Sequence, residues 1–260
     1  MKDISVVLTD LDGTLFHDNK TVSEYTCEII KKAQKKGILV GISTSRAIAS
    51  VSQMLGDFKP DFYICNGGAL VKIYGKIIHT CQFSVAETRA MLAKIYEVAG
   101  DDVEITMDDA ERYYWNRVEK KRSGDLKSTA VYNDLRNVDF PAMKICVQTC
   151  DNATAFEIAS SIGRENVDIQ PFSDIPWYKF SKADATKEKA IEVLSQYLKI
   201  PAEKMAAFGD DFNDIGMLKL CGIGVAMENA IPQVKEVADD TTLSNEADGV
   251  AFWIESNLLK

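Results

Sequence analysis

The sequence predicts an α/β protein with a doubly wound, Rossmann-like core that has a parallel sheet and is interrupted by an inserted α+β domain. Near both ends of the chain, short apolar segments alternate with amphipathic helical segments, which is typical of parallel strands covered on both faces. Between residues 83 and 186 the pattern changes to strand-like segments with helices grouped between them. The predicted domains are therefore a core of residues 1–82 and 187–260 and an insertion of residues 83–186.

The first part of the core is predicted to alternate strands with helices. The first helix is expected to begin near Thr21, because Thr21 and Glu24 have capping-box spacing and Gly37 stands where a helix would end. The predicted segments, in order, are strand 4–9, helix 21–36, strand 38–43, helix 46–55 and strand 61–65.

The insertion and the last part of the core give further segments. In the insertion, Ser84 and Glu87 form a second capping box and Gly100 follows as a stop signal. Its predicted segments are helix 84–100, strands 103–106, 142–149 and 176–181 of an antiparallel sheet, and helix 152–163. The core then resumes with helix 187–199, strand 204–209, a helix around 212–220, strand 222–227 and two more helices.

The composition of the chain restricts its possible partners. Among 260 residues, 30 are basic and 39 acidic, a net charge of −9 that argues against nucleic-acid or anionic-membrane binding. No apolar run reaches the length of a membrane span, and the apolar stretch near the N-terminus is too short for a secretory signal. We expect a cytoplasmic protein that is a monomer or a weak homo-oligomer.

The cysteines and histidines do not suggest zinc or a histidine-dependent hydrolase. The six cysteines are scattered without a CxxC pair, which favours buried free thiols in a reducing compartment. The two histidines, His17 and His79, do not lie beside a recognisable nucleophile motif.

Polar residues follow four of the predicted core strands. In open α/β sheets, ligands bind beyond the carboxyl ends of the strands, so these residues are expected to converge on one site. They are Asp10 and Asp12; Ser43, Thr44, Ser45 and Arg46; Asn66, Gly67 and Gly68; and the segment GDDFND at 209–214.

Acidic residues from two strand ends require a compensating cation. Two carboxylates about 4 Å apart repel each other by roughly 4 kcal/mol at an effective dielectric constant near 20. A hard divalent ion removes this cost, and Mg²⁺ is the expected cofactor because it prefers oxygen ligands and suits phosphate chemistry. Lys187 lies in the first turn of a predicted helix, where a bound phosphate would offset the unfavourable helix dipole.

Together these residues resemble the haloacid dehalogenase superfamily of phosphohydrolases. The segments DLDGTL (10–15) and ISTSR (42–46) are similar to its first two motifs, Lys187 to the third, and GDDFND (209–214) to the fourth. Their order, with a large insertion between the second and third motifs, resembles the Cof-type subfamily, in which the insertion is an α+β cap domain. CNGGAL (65–70), VAMENA (225–230) and EADGVAFWI (246–254) resemble secondary signatures of that subfamily.

The resemblance implies a role for each site residue. Asp10 would be the nucleophile that forms an aspartyl-phosphate, and Asp12 would be the general acid–base, its side chain free for proton transfer. Mg²⁺ would be bound by Asp10, the backbone carbonyl of Asp12, Asp210 and Asp214. Phosphate would be bound by Thr44, Ser45, Lys187 and Asn213. Ser45 stands where the subfamily usually has glycine, and Asp211 occupies a variable position.

The leading interpretation is a Mg²⁺-dependent phosphatase of small phosphorylated metabolites, with sugar phosphates as the expected substrates. A phosphomutase-like phosphotransferase remains an alternative, because the core motifs do not distinguish the acceptors. Two non-enzymatic functions also stay open, a phosphate sensor without catalysis and a receiver-type domain phosphorylated on Asp10. The presence of both Asp12 and Lys187 disfavours the sensor, and Asp12 also disfavours the receiver.

Overall fold

The computed structural model describes residues 3–118, 130–149, 151–172 and 175–260. The chain divides into two compact units. The core unit comprises Met1–Arg46, Val51–His79 and Thr186–Lys260, and the inserted unit comprises Ala47–Ser50 and Thr80–Ala185. The sequence-based domain boundaries, at 82/83 and 186/187, stay a prediction.

Each segment predicted from the sequence overlaps an observed element of the same type. In chain order the elements are β1 (Val6–Thr9), α1 (Glu24–Lys35), β2 (Leu39–Ser43), α2 (Ile48–Met54), β3 (Phe62–Cys65), β4 (Leu70–Ile73), β5 (Lys76–Thr80), α3 (Val85–Ala99), β6 (Ile105–Asp108), β7 (Tyr113–Trp115), β8 (Val131–Tyr132), β9 (Lys144–Gln148), α4 (Asn152–Ser160), β10 (Val167–Pro171), β11 (Trp177–Lys182), α5 (Lys187–Leu198), β12 (Met205–Gly209), α6 (Ile215–Leu220), β13 (Ile223–Ala226), α7 (Pro232–Val237), β14 (Asp240–Thr241) and α8 (Gly249–Leu258).

The sheet of the core unit has eight strands in the order β14-β13-β12-β1-β2-β3-β4-β5. The strands from β14 to β3 are parallel, and β4 then pairs antiparallel with β3. On one face of the sheet, alternate apolar side chains of β1, β3 and β12 are fully buried in one cluster with those of α5. The predicted parallel core is confirmed, and the antiparallel extension by β4 is a feature that the sequence analysis did not include.

The inserted unit has a six-stranded sheet in the order β10-β11-β9-β6-β7-β8. All the pairings are antiparallel except that of β7 with β8, which is parallel, so the sheet is mixed rather than wholly antiparallel as expected. Helices α3 and α4 pack together and bury their apolar residues with one face of this sheet. The predicted fold class, an α/β core with an inserted α+β unit, is confirmed.

Two helix starts test the capping predictions. Helix α3 has the predicted capping box: the Ser84 side chain accepts from the Glu87 backbone N–H, and the Glu87 carboxylate accepts from the Ser84 backbone N–H. For α1 the predicted cap was wrong, because Ser23 accepts from Thr26 N–H and begins the helix. The Thr21 hydroxyl instead donates to Asn19 Oδ1 at 2.6 Å, so Thr21 belongs to the preceding turn.

Within the described ranges, no helix combines the length and apolar character needed to span a membrane. The five cysteines in those ranges are free thiols, and four of them are buried. The sixth, Cys150, lies outside the described residues.

Candidate active site

The strand order of the core sheet brings the first and fourth motifs together. Strand β1 lies between β12 and β2, and the chain winds outward from it on both sides. The carboxyl ends of β1 and β12 are adjacent, since Thr9 is paired with Phe208. Asp10 follows β1 directly and Asp210 follows β12, which places both at the switch point of the sheet where α/β proteins bind ligands.

Three carboxylates form a compact acidic cluster at this switch point. One oxygen from each of Asp10, Asp210 and Asp214 lies within 4.8 Å of the others. Asp10 and Asp214 are buried, and Asp210 is partly exposed. Hard oxygen donors at this spacing suit a divalent cation.

Lys187 provides the positive charge at the buried side of the cluster. Its Nζ donates to Asp10 Oδ1 and to Asp214 Oδ1, both at 2.6 Å. Thr186 caps the helix that begins with Lys187 and so fixes where this side chain enters the site. Burial acts to lower the pKa of Lys187, but the two carboxylates outweigh it and raise the pKa, so the lysine is charged.

Lys187 does not fully balance the negative charge of the acidic cluster. Burial raises the pKa of Asp10 to about 7, with Lys187 opposing the change and Asp214 and Asp210 adding to it. Burial and the neighbouring carboxylates likewise raise the pKa of Asp210 to about 6, against the hydrogen bond from Thr14. A cation bound between Asp10 and Asp210 would lower both pKa values, and these residues therefore fit the predicted metal site.

Asp214 differs from the other two acids because the protein already occupies both of its oxygens. Oδ1 accepts from Lys187, and Oδ2 accepts from the backbone N–H groups of Asp210 and Asp211 at 2.9 and 3.1 Å. Asp214 thus shapes the loop that carries Asp210. The Asp211 side chain is exposed, as expected for a variable position.

Asp12 has partners that the sequence analysis missed. Arg46 donates from Nε to Oδ2 at 2.5 Å and from a terminal nitrogen to Oδ1 at 2.8 Å, and Lys20 Nζ lies 2.9 Å from Oδ1. Burial acts to raise the pKa of Asp12, but these hydrogen bonds outweigh it and hold the pKa below its usual value. The Asp12 carboxylate is therefore paired and ionised in this state. The sequence analysis had instead expected a side chain that is free for proton transfer.

The turn after Asp10 is built around a close approach to Asp210. Gly13 has φ +75°, and a Cβ at this position would lie 2.3 Å from Asp210 Oδ2. Next to it, the Thr14 hydroxyl donates to Asp210 Oδ1 at 2.6 Å. From the loop after β13, Asn229 Nδ2 donates to the Gly13 carbonyl at 2.7 Å. Sequence reasoning did not assign Thr14 or Asn229 a role, although both lie in segments that it had singled out.

The predicted phosphate-binding residues lie on neighbouring loops. Thr44 follows β2, is buried, and accepts from the Arg46 backbone N–H through its hydroxyl at 3.2 Å. Asn213 Nδ2 donates to Ser45 Oγ at 3.2 Å, which joins the second motif to the fourth. The structure thus brings Ser45 and Asn213 together. Thr44 lies just after the end of β2, the strand that pairs with β1.

The glycine pair after β3 supports the third motif. Gly68 has φ +111°, and a Cβ there would lie 2.1 Å from the carbonyl oxygen of Thr186. This close backbone approach requires glycine and holds the cap of the helix that carries Lys187. The Gly67–Gly68 segment therefore acts on the site through backbone packing.

Comparison with known proteins adds independent observations. The haloacid dehalogenase-like hydrolase family matches residues 7–254, nearly the whole chain. A Bacillus subtilis relative, the 5-amino-6-(5-phospho-D-ribitylamino)uracil phosphatase YitU, is 30% identical over 96% of this chain and 96% of its own. These matches span both units and all four motifs.

Solved structures show the same fold. A crystal structure from Thermotoga maritima has 24% identity and a TM-score of 0.84, and the match covers 97% of each chain. The subclass IIB sugar phosphatase BT4131 has 24% identity and a TM-score of 0.76, with 97% of this chain and 98% of that chain covered. At this level of identity the likeness concerns the fold.

Proposed function

Because the chain belongs to the haloacid dehalogenase-like hydrolase family, we propose that it hydrolyses phosphate esters of polyhydroxylated carbon chains with Mg²⁺ and an aspartyl-phosphate intermediate. The predicted class of enzyme, a phosphatase acting on small phosphorylated metabolites, is confirmed. The metal ion, the covalent intermediate and the class of substrate are the proposal.

One observation supports the chemistry most directly: Lys187 Nζ contacts Asp10 and Asp214 within the cluster that also contains Asp210. The lysine donates to Oδ1 of Asp10. Together with the metal ion, the lysine balances the negative charge of the three carboxylates, which keeps Asp10 ionised at neutral pH. A buried carboxylate with this support is suited to nucleophilic catalysis.

The reaction divides into two displacements. In the first, an Asp10 oxygen forms a bond to phosphorus, the P–O bond to the substrate breaks, and a proton from Asp12 passes to the leaving alkoxide oxygen. In the second, Asp12 removes a proton from water as the water oxygen attacks phosphorus. The bond to Asp10 then breaks, inorganic phosphate leaves and Asp12 is protonated again.

Asp12 must exchange partners for this sequence to run. In the present state Arg46 and Lys20 hold it ionised, which suits the second displacement but not the first. In the proposed cycle, its carboxylate leaves Arg46 and takes up the proton that it delivers to the leaving group.

The metal site is assigned to Asp10 and Asp210, together with the Asp12 backbone carbonyl. Asp214 contributes negative charge, accepts from Lys187, and positions the loop through the two hydrogen bonds that it accepts from the backbone of Asp210 and Asp211. When bound, Mg²⁺ supplies neutralisation of the charge on the transferring phosphoryl group. Thr44, Ser45, Lys187 and Asn213 are assigned to the phosphoryl oxygens.

The proposed class of substrate rests on what two relatives have in common. The Bacillus subtilis relative acts on a compound that carries its phosphate on a ribityl chain, and the subclass IIB structure is a sugar phosphatase. Both names describe a phosphate ester on a carbon chain bearing several hydroxyl groups.

The test uses a panel of sugar and sugar-alcohol phosphates with p-nitrophenyl phosphate as a generic ester. Asp10→Asn should abolish phosphate release from all of them while the protein stays folded, and removal of Mg²⁺ with a chelator should do the same. Asp12→Asn should slow the second displacement, so that intact-protein mass spectrometry detects a phosphorylated species that Asp10→Asn lacks. Turnover by Asp10→Asn, or full turnover without metal, would overturn the proposal.

A further inference from the structure

Ser43 ends strand β2 with a hydroxyl group that lacks a partner. The residue is 0% exposed, and within the described ranges its Oγ has no hydrogen-bond partner. A hydroxyl group that is buried in this way is costly and therefore rare in native structures. Thr9 on the neighbouring strand shows the ordinary case, because its hydroxyl is also buried but donates to the Asp10 carbonyl at 2.7 Å.

The Ser43 side chain lies on the face of the core sheet that α5 covers. In the β2–β3 register Ser43 is paired with Ile64, whose side chain is buried in the cluster with α5. Two residues earlier in β2, a Cβ on Gly41 would lie 2.4 Å from the ring of Phe62, another member of that cluster. Because side chains alternate along a strand, Gly41 and Ser43 point to the same face.

The nucleophile Asp10 lies on this face as well. Its carboxylate accepts from Lys187, the first residue of α5. Thr9 is paired with Ile42, so the next positions along β1 and β2, Asp10 and Ser43, are neighbours. The backbones of adjacent strands lie about 4.8 Å apart. The unused hydroxyl group of Ser43 is therefore beside the nucleophile.

The hydrogen bonds of Asp10 must change during the proposed reaction. In the resting state Lys187 donates to the negatively charged Asp10 carboxylate and to Asp214. Once Asp10 carries the phosphoryl group, its other oxygen is a neutral carbonyl, and the negative charge lies on the phosphoryl oxygens. The ammonium group of Lys187 is attracted to that charge. The buried carbonyl of Asp10 then needs another donor.

We propose that Ser43 is a positioning residue whose hydroxyl group donates to the carbonyl oxygen of phosphorylated Asp10. This inference rests on the proposed function, because it requires the aspartyl-phosphate. No bond to Ser43 forms or breaks, and its hydroxyl group only rotates into a hydrogen bond that the resting state lacks. An interaction that is gained along the reaction favours its progress. The role differs from that of Thr44 and Ser45, which are assigned to the phosphoryl oxygens.

The inference predicts that Ser43→Ala loses activity without losing stability. In the presence of a chelator its Tm should equal or exceed that of the wild type, because a buried hydroxyl without a partner is replaced by an apolar side chain. Its kcat for p-nitrophenyl phosphate should nevertheless fall by about 5- to 10-fold, the effect of one lost hydrogen bond.

Beryllofluoride reports on the intermediate without turnover. In the presence of Mg²⁺, BeF₃⁻ binds to an aspartate carboxylate as a stable mimic of an aspartyl-phosphate, and this binding should raise the Tm. The BeF₃⁻ concentration that gives half of the full rise should be about 5- to 10-fold higher for Ser43→Ala than for the wild type.

Ser195→Ala is the matched control. Ser195 lies in α5, the helix that begins with Lys187, and its hydroxyl donates to the Ile200 carbonyl at 2.7 Å. The substitution removes the same atom, but from a hydroxyl group that has a partner. We expect it to lower the Tm in the presence of a chelator. Its kcat and its half-maximal BeF₃⁻ concentration should stay within about twofold of the wild type.

The outcomes separate the inference from the proposed function. If Ser43→Ala keeps either the wild-type kcat or the wild-type response to BeF₃⁻, the hydroxyl group does not serve the intermediate and the inference is overturned. A lower Tm for Ser43→Ala in the presence of a chelator would also overturn it, because the hydroxyl group would then stabilise the resting state. If the wild type itself neither responds to BeF₃⁻ nor hydrolyses any ester, it is the proposed function that fails.

Discussion

Lys187 Nζ donates to Asp10 Oδ1 at 2.6 Å, although the two residues are 177 positions apart in the chain. Both side chains are buried, so each charge depends on the other for compensation. Lys187→Met should remove a charge that faces two carboxylates. We expect the variant to lose at least about 100-fold in kcat, because a preorganised cation at the reacting group is lost.

The same variant should also be less stable, by about 3–5 kcal/mol at neutral pH, since it leaves buried carboxylates without their partner. Urea denaturation measures this loss. Lys189→Met, two residues along the same helix and exposed, should stay within about 0.5 kcal/mol of the wild type and keep its activity. Equal behaviour of the two variants would contradict the role given to Lys187.

Gly13→Ala should weaken metal binding through a steric contact. The new Cβ would lie 2.3 Å from Asp210 Oδ2 in a backbone with φ +75°, so the carboxylate must move. Gly37→Ala is the control, because Gly37 has φ +86° with nothing within 4 Å of the added carbon. Both variants carry the backbone cost of about 1–2 kcal/mol. Only Gly13→Ala should raise the Mg²⁺ concentration needed for half-maximal turnover of p-nitrophenyl phosphate.

The metal-free protein should become less stable as the pH rises from about 5 to about 7.5. Asp10 has a folded pKa of about 7, above its ordinary value of 3.8. At a pH between these two pKa values, the folded state therefore binds more protons than the unfolded state. The free energy of unfolding falls as the pH rises and Asp10 of the folded state loses its proton. Asp210, with a pKa of about 6, acts in the same direction. The pKa of Asp12 is lowered, so its effect lies below this window.

Thermal unfolding in the presence of a chelator checks this dependence. Asp10→Asn should show a shallower fall in Tm between about pH 5 and about pH 7.5, because the main titrating group is gone. Added Mg²⁺ should raise the wild-type Tm more at the higher pH, where both carboxylates are ionised. A metal-free Tm that increases across this range would contradict the assigned pKa values.

Asn229→Asp should loosen the turn that carries the nucleophile. The substitution keeps an oxygen to accept from Asn245 N–H, but it replaces the amide that donates to the Gly13 carbonyl with an acceptor. We expect a loss of about 5- to 10-fold in kcat, equivalent to about 1 kcal/mol, with little change in fold. Asn166→Asp, which removes a similar bond to the Ile162 carbonyl, should leave kcat unchanged. Similar kinetics for the two variants would show that Asn229 has no positioning role.

The sequence was most informative where a local pattern decides the structure. Asp10 could be predicted because it ends a continuous apolar run, and Lys187 because it stands in the first turn of an amphipathic helix. Features that depend on the register of distant strands were not predictable in this way. The Arg46–Asp12 pair needs the β1–β2 pairing. In the inserted unit, Lys144 Nζ lies 2.9 Å from Asp108 Oδ2, and this ion pair needs the β6–β9 pairing.

The sequence also did not decide between similar residues that lie close together in the chain. Thr21 and Ser23 are both good capping residues, and only the structure shows that Asn19 binds the Thr21 hydroxyl and leaves Ser23 to cap the helix. Alternation along a strand likewise separates neighbouring aromatic residues of the inserted unit. Tyr114 is buried in the apolar cluster, whereas Tyr113, paired with Asp108, points to the opposite face of the sheet.

The pairing of Val6 with Met205 has a consequence for how the chain is made. During synthesis β1 can join β2 early, but its other edge has no partner until about 200 further residues have left the ribosome. At about 5–20 residues per second this interval lasts about 10–40 s. An apolar strand edge that is open for so long can pair with another chain. A central strand whose second partner is made late thus makes the newborn protein vulnerable to aggregation, and the inserted segment Thr80–Ala185 prolongs that exposure.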